Sequence, residues 1–151
     1  MTGILIIAYG NPMREDDGLA WRAADELEAK LSSSKIEVLR LHQLAPELAE
    51  TISHVDAVIF VDAAIKPNRP PGDVHCEPIT GIPGDVTFSH QLSPHAVVAL
   101  ARQLYNASPR AFSVTMTGQD FDHAECLSPP VAAALPALIN RIESVVQSLQ
   151  S

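Results

Sequence analysis

At 151 residues, 46% of them hydrophobic, the chain is long enough to bury a core and reads as one domain over 1–151. Ten Lys and Arg against 18 Asp and Glu leave a net charge of −8 with no basic cluster, which argues against nucleic-acid binding. No apolar run approaches the roughly 20 residues of a membrane span, no secretory signal pattern opens the chain, and Cys76 and Cys126 form neither a disulfide framework nor a CxxC site, so a reduced, cytoplasmic setting is expected.

The first stretch, Ile4-Leu5-Ile6-Ile7-Ala8, reads as a strand buried on both faces, and Gly10-Asn11-Pro12 stops it. Three acids follow, Glu15-Asp16-Asp17, and Gly18 opens a helix to Leu31 with Leu19, Ala20, Ala23, Ala24, Leu27 and Leu31 on its inner face. Trp21 packs beside that helix and has no assigned role. Ser32–Ser34 breaks the pattern, and Ile36–Leu41 alternates as an outer strand. Pro46–His54 spaces a short second helix, and Ala57–Val61 is a second wholly apolar strand that ends on Asp62. Asp73–Glu77 is a short edge strand between proline-rich loops. Ser93-Pro94 caps a third helix running to about Tyr105, Ala111–Thr117 is the last strand, and Ser128-Pro129-Pro130 opens the final helix, in which Pro136 either bends the helix or marks its start. This order predicts an α/β three-layer sandwich: a mostly parallel twisted sheet of about five strands with helices on both faces.

In doubly wound sheets of 2-1-3 order the exits of the first and third strands flank the ligand crevice. Asp16 or Asp17 leaves one and Asp62 the other, and His90 lies ahead of the third helix on the same rim. Two carboxylates and an imidazole suit a metal site with open positions. Against that stand plainer roles: an acid after a strand is often a helix cap, and a loop histidine is often only hydrogen-bonded. Asp62 resists such a reading, because a carboxylate directly after a buried strand is costly if unpaired. Of the other histidines, His42 and His54 border outer elements, His75 beside Cys76 lacks further ligands, and His95 can reach the rim. His123, with Asp120, Asp122 and Glu125, reads as part of a solvated acidic loop.

The stretch Ile4–Gly18, with its Gly-Asn turn and Asp-Asp-Gly, resembles the N-terminal signature of the hydrogenase maturation endopeptidases, which trim the C-terminal tail of the [NiFe]-hydrogenase large subunit. The resemblance continues through Val61-Asp62-Ala63, Pro71-Gly72-Asp73-Val74, Ser89-His90-Gln91-Leu92-Ser93 and Leu127-Ser128-Pro129 with Val131. Ala8 stands where the family often has Gly, Asp17 where some members have Glu, and Pro12 and Glu15 also depart from the pattern.

The resemblance implies that Asp17, Asp62 and His90 are the metal-binding and catalytic residues. The metal it implies is nickel already carried by the client, the large-subunit precursor; zinc or cadmium would fit the same ligands in vitro. It further implies that precursor as the partner; charge and the lack of a long apolar run leave out nucleic acid and membrane insertion, and a monomer is expected although the sequence does not fix the oligomeric state. A paired-carboxylate acid/base mechanism through Asp17 and Asp62 competes with the metal reading. The rival functional class is a non-catalytic, hydrogenase-associated homologue that serves as a binding module. A flavin or nucleotide binder is disfavoured, since the first turn lacks GxGxxG and its acids repel phosphate.

Overall fold

The computed structural model describes residues 3–31, 33, 35–80 and 92–150. The elements are β1 (Ile4–Tyr9), α1 (Leu19–Lys30), β2 (Ile36–Leu41), α2 (Leu48–Ile52), β3 (Ala57–Ala64), β4 (Val74–Pro78), α3 (Pro94–Tyr105), β5 (Arg110–Thr117) and α4 (Pro129–Gln150). One five-stranded sheet is formed, in the order β2-β1-β3-β5-β4. The three pairings among β2, β1, β3 and β5 are parallel, and β4 runs antiparallel to β5 at the edge. The expected mostly parallel, helix-covered sheet is the architecture observed.

Alternation along the strands splits the interior into two layers. Ile4, Ile6, Ala57, Ile59, Val61, Val114 and Met116 pack under α1 and α4. Leu5, Ile7, Val58, Phe60 and Ala111 face α2 and α3. The central strands are therefore apolar on both faces, which is why they read as unbroken aliphatic runs.

Local chemistry sets both ends of α3. The Ser93 hydroxyl accepts from the Ala96 N–H at 3.1 Å, Pro94 is the first residue of α3, and left-handed Asn106 closes it. The second helix is shorter than its sequence pattern. The bonds Leu48 N to Ala45 O and Ala49 N to Pro46 O, at 3.0 Å each, wind its start as tight three-residue turns. Pro136 lies on the exposed side of a continuous α4 and does not begin it.

The parallel pairing of β1 with β3 ends at Ala8 opposite Val61. One residue further, Tyr9 and Asp62 continue the series Leu5, Ile7 and Val58, Phe60, so both project from the α2/α3 face at the carboxyl end of the sheet.

Candidate active site

The chain leaves β1 through Gly10, whose φ is +144°, a conformation side chains rarely adopt. A Cβ there would overlap the Asp17 carbonyl oxygen, so glycine lets the strand exit lie directly on the following turn. That turn is a single 3₁₀ stretch, Glu15–Gly18, entered through Glu15 at φ +46°. It is pinned from outside: the Asn11 side chain accepts from the Met13 N–H at 2.9 Å, and the Glu15 N–H reaches the Ala124 carbonyl at 2.7 Å.

The neighbouring acids of this turn have opposite fates. Asp16 is fully buried and accepts four hydrogen bonds, from the N–H groups of Gln119, Asp120 and Ser128 and from the Ser128 hydroxyl, at 2.7–2.9 Å. Burial pushes its pKa up, but these donors outweigh burial and hold the carboxyl below the ordinary range. Asp16 is a structural tie between the first turn and the start of α4; it caps no helix. Asp17 points the other way. It is half-buried, its Oδ2 accepts from the Asn11 N–H at 2.9 Å, and it lines an open cavity of about 370 Å³.

Asp62 lines the same cavity from β3. Burial, together with the nearby charge of Asp17, lifts its pKa to about 6, although a hydrogen bond from the Tyr9 hydroxyl works in the opposite direction. Tyr9 is driven strongly upward in turn, by burial and then by the Asp62 charge and bond. Neither Asp17 nor Asp62 has an ion-pair partner among the described residues. Two acids from distant parts of the chain thus share one crevice.

The third expected ligand, His90, lies outside the described residues, as does Gln91. Among the described residues no group of three His, Cys, Asp or Glu side chains is arranged to hold a metal ion. Asp17 and Asp62 are a pair, and each has oxygen capacity left for a cation beyond its one neutral donor.

Several cavity residues, Tyr9 among them, had no role in the sequence reading. Arg14 reaches the rim with its Nε donating to the Phe121 carbonyl at 3.2 Å. His42 and Gln43, just after β2, also line the cavity. His42 is held edge-on against Trp21, ring centres 5.2 Å apart, while the indole N–H donates to the Leu41 carbonyl at 3.0 Å. The lone tryptophan therefore anchors the wall that carries His42.

The remaining histidines are elsewhere. His54 is exposed beside Glu50, His75 and His95 line a second cavity next to Asp62, and His123 is exposed on the acidic loop. Cys76 is half-buried on β4 and Cys126 is exposed, both as free thiols. No helix among the described residues is long and apolar enough to cross a membrane.

No protein-family model and no curated protein matches the chain. Solved structures do. The hydrogenase maturating endopeptidase HybD from E. coli superposes with a TM-score of 0.78 at 19% identity, over 97% of this chain and 93% of that one. The hydrogenase 2 maturation peptidase from Thaumarchaeota archaeon SCGC_AB-539-E09 gives 0.74 at 17% identity, over 96% and 98%. The [NiFe] hydrogenase maturation protease HybD from Thermococcus kodakarensis gives 0.70 at 21%, over 96% and 99%. Along nearly its whole length, the chain has the fold of the hydrogenase maturation endopeptidases.

Proposed function

We propose that the chain is a maturation endopeptidase that removes the C-terminal extension of a [NiFe]-hydrogenase large-subunit precursor after nickel has been inserted. One observation carries the reading: Asp17 and Asp62 converge on one solvent-open crevice at the switch point of a fold shared with such peptidases. Free of ion-pair partners among the described residues, they are suited to a cation that arrives from outside.

In this reading the nickel belongs to the substrate. The Asn11 N–H fixes Asp17 and the Tyr9 hydroxyl fixes Asp62, so each carboxylate presents its remaining oxygen sites in a set direction. With His90 they complete the coordination of a metal whose other ligands come from the client, and docking sets the scissile bond beside them. Cleavage then reports metal loading. The site is proposed to work in a monomer, in the cytoplasm.

Asp62 lifted to about 6 beside Asp17 supports a second chemistry, in which the two acids share a proton as an aspartyl-type pair acting on water and leaving group. Incubating the protein with nickel-loaded and nickel-free precursor and weighing the products separates the two. The metal-dependent reading expects trimming of the loaded form alone, with Asp17→Asn, Asp62→Asn and His90→Ala each slower by about 100-fold or more. Equal trimming of both forms favours the acid pair. Intact precursor in every case would leave a binding module.

A further inference from the structure

Asp62 stands between two cavities. The first holds Asp17; the second, about 460 Å³, shares Tyr9, Asp62, Ala63 and Ile65 with it but lacks Asp17. Its floor is a break in the apolar face of the sheet. Under α3 that face is Leu5, Ile7, Val58, Phe60 and Ala111, but the next residues of β5 on the same side are Ser113 and Thr115, both half-buried. The register places Asp62 and His75 on either side of Thr115, and Glu77 beside Ser113. A hydroxyl-lined floor on an interior strand is poor ground for a covering helix and a good bed for hydrogen bonding.

Crossing from β3 over β5 to β4 spans about 10 Å at the usual strand spacing. That is room for about three residues of extended chain. β4 is the edge strand of the sheet, so a segment crossing β5 runs toward that edge. We infer that this second groove holds the client's C-terminal extension, the three or so residues directly after the scissile bond, while the first cavity faces the metal-bearing body. The inference rests on the proposed function: a peptide cut at Asp62 must run in both directions from it, and the side that presents nickel needs both carboxylates. The extension's backbone meets Ser113, Thr115, His75 and His95 as donors and acceptors, and Arg69 also lines the groove.

The photocrosslinker p-benzoylphenylalanine at exposed Glu77 or exposed Gln43 tests this with nickel-loaded precursor. The expected adducts, mapped by mass spectrometry, lie after the scissile bond from position 77 and before it from position 43. Adducts from position 77 on the retained body, or none while position 43 still crosslinks, overturn the assignment. In parallel, Thr115→Phe should raise KM roughly tenfold with kcat little changed; an unchanged KM counts against it. Wild-type protein that leaves the loaded precursor whole removes the functional reading itself, an outcome visible before any crosslinking.

Discussion

Asp16 and Asp17 are adjacent, chemically identical and differently employed. Asp16 binds four donors on two oxygens, three on Oδ2 and one on Oδ1. An asparagine keeps the shape but turns an amide N–H₂ toward at least one N–H donor, so Asp16→Asn is expected to cost about 3 kcal/mol. The sign with pH follows from the lowered carboxyl: its stabilisation is in place above the ordinary carboxylate pKa of about 4 and is lost as pH falls below it. Urea denaturation of wild type and Asp16→Asn should thus differ widely at pH 7 and converge toward pH 2; a constant gap would refute the carboxylate's role. The sequence offered either acid as the site residue and could not choose, because the donors that decide the matter are more than 100 residues away. His42 stayed hidden for a similar reason. A histidine after an outer strand says nothing of a crevice until Trp21 on α1 fixes the loop against it.

Among the elements, the passage from β1 into the 3₁₀ turn is the one with least tolerance. Ala8 replaces a glycine common in the resembled family without difficulty, since its side chain enters the α1/α4 core at 1% exposure. Gly10 has no such outlet, because its missing Cβ is the space taken by the Asp17 carbonyl. Gly10→Ala must shift the turn, and Asp17 with it. The expected result is a loss of about 2–3 kcal/mol and at least a tenfold fall in cleavage measured well below the new melting temperature. Retained activity in the folded variant would mean that Asp17 tolerates displacement. Strands and long helices were legible because their periodicity is a local signal. The bounds of α2 were not, since three-residue turns at its start look helical in sequence.

For the molecule as a whole, strand order together with the turn after β1 brings Asp17 and Asp62 into one crevice. A mostly parallel sheet was readable from the alternation of strands and helices, whereas its full strand order and the strength of the coupling were not, the latter because it depends on how deeply β3 buries its last carboxylate. Asp62 at about 6 is a property of the fold. Carboxyl-carbon NMR of labelled protein should follow one aspartate titrating near 6 when folded and near 4 in concentrated urea. In Asp17→Asn it should move only part of the way down, because burial is the larger cause and the neighbouring charge the smaller. A raised carboxyl binds its proton more tightly when folded, so Asp62 favours the native state at low pH and opposes it once both states are ionised. Asp62→Asn keeps an oxygen for the Tyr9 hydroxyl and removes that charge, and is expected to stabilise the uncomplexed protein at pH 7.5 by about 1 kcal/mol while abolishing cleavage. The gain should shrink as pH drops from 6 toward 4. A variant less stable than wild type at pH 7.5 would show that the ionised carboxylate has a compensating partner, and the crevice would then be no place for an incoming metal.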